Sequence, residues 1–553
     1  MFADDRDDIL QALSKGDANV RIRTLKHIGE RGEEGNSFLS VGEDVARHLH
    51  DASKEVVIAA MIALGKMGSE GTRHQGEVAR LLGSNEDTVA CAACKSLGLM
   101  GQSAASLAQA LVGLAQGKEG HVRAAALLAV GSMKASHCTK DVAGYLSDQS
   151  PEVQGAACAA LSELGEDAKP HGAEVAKLLG SADKDTKTQA LLYFSKMGTL
   201  GTGHLEGFCK CLADEDLLVR GAAIAALSAL GEHAQSMAKD VAKRLASSAS
   251  YEKAAAAMAL GEMGEKAANF APEIATLLDD KFEDASGSMI GKTGAFSKPP
   301  AALRMPRCAA LQALSKLGPE GCKHADKAAA LLSDESAEVR LAAAEALGAM
   351  GAEGACHEAE VLRLFDDKDV RVVAAAAGAV GLMGKAQGGS NPSTIQEVVK
   401  LLRRQHPGVR SSAAVALGTM GDGVFSHMEK LLKCFSDRCS QVRIAVIHAL
   451  EQMGVRGQMY AADIVRATFD ADAKVRLAAV NALGGMGDRG AACIEDLLEA
   501  LADPEPEVRK ATLCAFGNFG AEAGMYIEAV EALYEDPELR VLAQETAKKI
   551  SIG

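Results

Sequence analysis

Tryptophan is missing from this 553-residue chain, aromatic residues make up only 3 % of it, and prolines number 12. So thin an aromatic supply excludes a β-sandwich or barrel core, which draws on aromatic and β-branched side chains. Long apolar runs are missing as well. Stretches such as Ala254–Leu260 are far too short to span a bilayer, so no membrane insertion is expected. Positive charge is not in excess: the net charge is −15, which argues against nucleic acid as a partner. The opening Met1–Asp8 is acidic and polar, so no signal peptide is read there. Thirteen scattered cysteines, an odd number, point to a reduced, cytoplasmic setting. What is abundant is apolar residues, 48 % of the chain and mainly Ala, Leu, Val and Met. That content excludes disorder and suits helices packed closely through small side chains.

Internal repetition decides the architecture. A frame anchored on an apolar residue, usually valine, recurs at Val20, Val56, Val89, Val122, Val153, Thr186, Val219, Glu252, Pro306, Val339, Val372, Val409, Val442, Val475, Val508 and Leu539. Most steps are 33 residues, some are 31, 36 or 37, and one is 54. From each anchor, apolar or small residues run at helical spacing through a leucine eight residues on, as at Leu64, Leu161, Leu347 and Leu483. Glycine stands twelve residues past most anchors, from Gly32 and Gly68 through Gly231 and Gly384 to Gly520, where it is expected to end the helix in a left-handed conformation. Nine residues past the anchor the chain carries Gly or Ser (Gly98, Ser162, Gly348, Gly418, Gly484), which lets neighbouring helices approach closely. A shorter amphipathic helix follows, such as Glu77–Leu82 or Glu174–Leu179. Asp then precedes the next anchor by five residues (Asp51, Asp148, Asp214, Asp334, Asp367, Asp437, Asp470, Asp503) and is expected to cap that helix or sit in its first turn. One such pair cannot bury its apolar stripe alone, whereas stacked pairs can.

The pairing of Asp with Val-Arg, as in Asp334…Val339-Arg340 and Asp503…Val508-Arg509, resembles the HEAT-repeat signature and overlaps the armadillo pattern. The short unit is similar to the HEAT-like repeats of bilin-lyase proteins. The resemblance implies an all-α, right-handed α-solenoid of about sixteen helical-hairpin repeats, with the Val-Arg helices on the concave face. It also implies that Arg21, Arg123, Arg220, Arg307, Arg340, Arg410, Arg443, Arg476, Arg509 and Arg540 tie adjacent repeats together instead of forming a phosphate-binding stripe. The expected organisation is an N-terminal stack over 1–279, an insertion over 280–302 and a C-terminal stack over 303–553.

The insertion is rich in Gly, Ser and Pro and lacks helical periodicity. Its Gly287–Thr293 segment has three residues, not four, between Gly and Gly-Lys, and no strand is expected before it, so a phosphate-cradling loop is not read there. A second break, Lys385–Thr394, lengthens one inter-helix loop as a further flexible point or lip.

No residue is singled out for catalysis, cofactor binding or metal binding. Histidine recurs eighteen residues past the anchor (His74, His171, His204, His324, His357, His427), where other frames carry Phe, Leu or Met, so the column reads as half-buried packing. Neighbouring members lie about 10 Å apart, too far to share an ion whose Zn–N bonds are about 2 Å. The di-iron deoxyhypusine hydroxylases, also HEAT-like, carry His-Glu pairs where this chain has Leu341-Ala342, Ile444-Ala445 and Leu477-Ala478, so that activity is rejected. Cys91 and Cys94 fall on a helix at positions where other repeats carry Ala and read as core. An armadillo importin or catenin would need Asn ten residues past the anchor; only Asn518 matches.

The most asymmetric surface is the C-terminal end, where twelve acids against Arg509 and Lys510 between 495 and 538 contribute −10 of the charge. It reads as the polar cap of a stack and as a landing site for a basic segment of a protein partner. Candidate partner-binding residues are Glu495, Glu499, Asn518, Tyr526, Glu528, Glu531, Tyr534 and Glu535. The expectation is a cytoplasmic, non-catalytic scaffold that binds proteins; the alternative is an accessory bilin-lyase-like or chaperone-like factor for a chromophore protein.

Overall fold

In the computed structural model, residues 6–33, 41–117, 119–281, 289–290, 296–297, 300–536 and 539–552 are described. The chain forms two compact units, Met1–Met263 and Gly264–Gly553. In the first, the anchored helices are α1 (Ala18–Glu33), α2 (Lys54–Lys66), α3 (Asp87–Leu99), α4 (Gly120–Ser132), α5 (Pro151–Leu164), α6 (Lys184–Met197), α7 (Leu217–Leu230) and α8 (Ser250–Glu262). In the second they are α9 (Pro306–Lys316), α10 (Ala337–Ala349), α11 (Val370–Ala386), α12 (Pro407–Thr419), α13 (Ser440–Gln452), α14 (Ala473–Gly484), α15 (Pro506–Phe519) and α16 (Arg540–Ile552). Within each unit every one packs against the next in chain order, as an α-solenoid requires. Proline opens α5, α9, α12 and α15, where its missing N–H costs nothing.

The core is the row of anchors and their leucines. Val56, Val122, Val339 and Val475 are fully buried, as are Leu64, Leu161, Leu347 and Leu483. Each such side chain stabilises its repeat by about 1.5–3 kcal/mol. The small residues nine past the anchor let main chains meet. A Cβ added at Gly131, Gly348 or Gly418 would lie 2.6, 2.7 or 2.6 Å from the Cα of Ala160, Ala379 or Ala449 on the next helix.

Left-handed glycines end most anchored helices, with φ of 55° at Gly68, 70° at Gly165 and 56° at Gly520. Two frames differ. Lys134 takes the place in the Val122 frame and still adopts φ 52°. Gly384, expected to stop its helix, stays helical in α11, and the stop moves to Gly388 (φ 77°) and Gly389. The longer loop supplies those later glycines, and the Ser390 N–H pins it by donating to Met420 O at 3.0 Å. The second helices are more broken than their periodicity suggests. Gly165–Gly180, for example, is a 3₁₀ turn, a short α segment (Gly172–Lys177) and another 3₁₀ turn.

The aspartates five residues before the anchors are not the N-caps. Asp51, Asp334, Asp367 and Asp437 stand two residues ahead of the capping position, where Oδ1 accepts the N–H of Ser53, Ser336, Asp369 and Cys439 at 2.8–2.9 Å. The carboxylate folds the connection and at once faces the arginine of the preceding repeat. Arg340 grips Asp367 through Nε and Nη2 at 2.7 and 2.8 Å, and Arg410–Asp437, Arg443–Asp470 and Arg476–Asp503 repeat that fork. Each of these arginines also donates Nη1 to carbonyls just ahead of its own helix, as Arg340 does to Asp334 O and Glu335 O. Side-chain hydrogen bonding from Arg340 and Arg410 holds the Asp367 and Asp437 carboxyls below their usual range.

In the first unit the ladder is sparser: Arg21–Asp51, Arg123–Asp148, and Lys187 in place of Arg on Asp214. Arg220 is 2 % exposed; its Nη1 donates to Asp214 O and Glu215 O, and its guanidinium lies 4.6 Å over the Tyr251 ring.

The insertion contributes one feature the sequence reading did not expect, a two-residue antiparallel pair of β1 (Met289–Ile290) and β2 (Phe296–Ser297). β1 lies inside the Gly287–Thr293 segment, not ahead of it; the rest of that segment falls outside the described residues. Within the second unit, Gly264–Asp279 packs with α9.

Candidate protein-binding surfaces

The ladder arginines of the second unit are committed to carboxylates and carbonyls, so their charge is spent inside the stack. Candidate surfaces must come from elsewhere.

At the acidic end, Glu495, Glu499, Glu528, Glu531 and Glu535 are exposed, on the short second-helix segments 494–502 and 527–535. The structure joins two of the candidates: the half-buried Tyr526 donates its hydroxyl to Glu495 Oε1 at 3.1 Å. Tyr534 is half-buried, and its carbonyl accepts from Arg540 Nε. Asn518 belongs to a different ridge, on α15, where its amide donates to Gly484 O of α14 at 3.2 Å. Two acids of the run serve the ladder, Asp503 with Arg476 and Asp536 with Arg509. What remains is a band of exposed carboxylates on second helices.

A second surface was not singled out from the sequence. Residues two, six and ten past the anchor share one face of each anchored helix, because four-residue steps return to the same side. Where those residues are apolar, furrows open between successive helices. One on this face, about 580 Å³, runs along α10, α11 and α12 to Gln452 of α13, and Leu341, Val370, Leu382 and Val415 form its greasy lining. Leu382 and Val370 keep 45 % and 40 % of their surface open to water. Glu345 stands in the same furrow, open to solvent yet crowded by apolar walls that push its carboxyl up. In the first unit, shorter furrows of about 410 and 400 Å³ lie between α1 and α2 (Ile22, Ile58, Ile62) and between α3 and α4 (Leu99, Leu128). The signal was present in the column ten past the anchor, where Leu99 and Leu382 interrupt charged and polar residues.

The histidine column sits at the entrance of the second helices, and all six members are half-buried. His74 Nδ1 pairs with Glu77 at 3.1 Å and His357 Nε2 with Asp326 at 3.0 Å, while the His204 ring packs 5.3 Å from Phe194. No group of three or more metal-ligating side chains is gathered among the described residues. Burial pushes the Cys94 thiol up to about 12 and those of Cys209 and Cys211 to about 11, so these side chains stay protonated and unreactive. Among the described residues no helix is long and apolar enough to cross a membrane.

No curated protein matches the chain. Among solved structures it is similar to Kap121p (11 % identity over 98 % of this chain and 68 % of that one, TM-score 0.46). It is also similar to importin beta (16 %, 98 % and 77 %, TM-score 0.46) and to Kap121p bound to Pho4p (12 %, 98 % and 69 %, TM-score 0.49). The model for HEAT repeats matches residues 325–418, 359–451 and 461–550, the stretches that carry the bidentate Asp–Arg rungs and the furrow beside Leu382. The match is to HEAT repeats in general. By this match and by their stacked, ladder-tied helical hairpins, residues 325–451 and 461–550 are HEAT repeats.

Proposed function

We propose that this protein is a non-catalytic scaffold that binds protein segments along the exposed face of its anchored helices and on the acidic band of its second helices. The furrow beside Leu382 carries the reading. It is an apolar surface, open along its length, with Glu345 placed to receive a cation from the bound segment. The residues Glu495, Glu499, Tyr526, Glu528, Glu531, Tyr534 and Glu535 form the second surface, suited to a basic segment through charge complementarity. Cytoplasmic residence fits the thirteen cysteines, all free thiols.

Leu382→Asp tests the furrow. It places a charge where a partner's apolar side chain would sit and is expected to weaken capture of furrow-bound partners by about 1–2 kcal/mol, close to tenfold. Reversal of Glu495, Glu499, Glu528, Glu531 and Glu535 to Lys tests the acidic band. Partners held with undiminished affinity by both variants would defeat the scaffold reading, and turnover of a small molecule by the purified chain would defeat its non-catalytic part.

A further inference from the structure

The outer ridge made by the second helices tends to be acidic. Twenty-one residues past the anchor seven frames place an acid, at Glu77, Glu174, Asp240, Glu273, Glu360, Asp463 and Asp496, near helix starts where negative charge is favoured. The Pro306 frame has Lys327 there instead, and the Val409 frame has Lys430. Six residues before the anchor the chain is mostly small, as at Gly83, Ser147, Gly180, Ala246, Ser333 and Ala502, and here the same frame carries Arg403. The two departures meet. Lys400, Arg403, His427 and Lys430, with Gln396 and Val399, line one hollow of about 260 Å³ between the second helices Pro392–Leu401 and Met428–Leu432.

No carboxylate lines this hollow. The nearest acids are engaged at its edge, Glu397 with Lys400 and Glu429 with Lys433. Arg403 and Lys430 are exposed, and neither makes an ion pair or side-chain hydrogen bond among the described residues. Exposed i,i+3 pairs such as Glu397–Lys400 are worth little, so Lys400 turns to a stronger anion at small cost.

We propose that this hollow docks a phosphomonoester, carried on a phosphorylated serine or threonine of a peptide partner. A phosphate brings about −1.5 to −2 charges and three acceptor oxygens, which three cations and an imidazole N–H can satisfy together; a carboxylate offers one charge and two oxygens. The small volume and acidic surroundings (Glu358, Glu360 and Asp366 on the preceding repeat, −15 over the chain) favour a single compact anion over a nucleic-acid backbone or an anionic membrane, which need an extended positive field. The site lies on the second-helix ridge, apart from the furrow of the anchored helices, and stands independently of it.

The probe is a fluorescein-labelled Gly/Ser heptapeptide with one central phosphoserine, titrated by anisotropy against the full chain. Its unphosphorylated form and its Glu counterpart serve as comparisons, and inorganic phosphate as competitor. The expected result is saturable binding of the phosphopeptide alone, displaced by inorganic phosphate and weakened about tenfold or more in Arg403→Ala/Lys430→Ala. Leu382→Asp is expected to leave it unchanged, which separates this site from the scaffold reading. Both substituted side chains are exposed, so the fold survives, and an unchanged circular dichroism melt verifies that. Equal binding of the unphosphorylated peptide, undiminished binding by the double variant, or binding only to phosphatidylserine vesicles would overturn the proposal.

Discussion

A single methyl group should have opposite effects at two glycines of adjacent helices. At Gly418 in α12, an added Cβ would lie 2.6 Å from Ala449 Cα and 2.8 Å from Ala449 O on α13. Carbon atoms are at ease at about 3.5–4.0 Å, so α12 and α13 must part by roughly 1 Å. The obstacle is main chain, which has no rotamer to change. Overpacking of this kind costs about 1–3 kcal/mol, offset by the roughly 0.5–1 kcal/mol that alanine gains over glycine inside a helix. The net for Gly418→Ala is a destabilisation of about 1–2 kcal/mol. At Gly378 in α11 nothing lies within 4 Å of the same methyl, so only the propensity gain of about 0.5–1 kcal/mol is left for Gly378→Ala. A long repeat protein does not unfold in one step, so the assay is native-state hydrogen exchange read on peptides from 370–386 and 407–452. Exchange in 407–452 should quicken about 5- to 30-fold in Gly418→Ala, and exchange in 370–386 should slow in Gly378→Ala. Shifts of the same sign in both variants would show that main-chain contact does not set the spacing of these helices.

Lys134→Gly should stabilise the region 120–144 by about 1 kcal/mol, because a residue with a Cβ is strained at φ 52°; slower exchange there is the readout. The ladder gives a pH dependence of definite sign. Asp367 and Asp437 have folded pKa values held below the unfolded value, near 3.9, so their contribution is full above that value and is lost as pH falls through the folded pKa. Acid melts followed by circular dichroism should be flatter below pH ~4 for Asp367→Asn/Asp437→Asn, which also starts from a lower stability at neutral pH.

Much of the fold was legible because each repeat restates the same physical demands. A left-handed stop, a small contact residue and a buried leucine recur at fixed offsets, and the Asp–Arg pairing at a constant separation told that the arginines are structural. Local chemistry misled where two roles compete for one residue. The aspartates look like N-caps by type and nearness to a helix, yet the demand of the preceding repeat's arginine holds them two residues upstream. Gly384 had the expected offset, but a longer loop offered Gly388 as a later stop. The acidic band could be read from composition, whereas Asn518 was grouped with it by sequence nearness and stands on another ridge. The furrow escaped because it belongs to no segment. It exists only where the outward faces of α10, α11 and α12 lie side by side.

The uneven ladder has a mechanical consequence. From α10 to α15 a forked rung joins each neighbouring pair but α11 and α12, where Val373 stands in the arginine's place; in the first unit Val57 and Ala90 stand there too, and Lys187 replaces another arginine. Pulled from its ends, the second unit should give way in larger blocks, while the first should pay out hairpin by hairpin from its weakest joints.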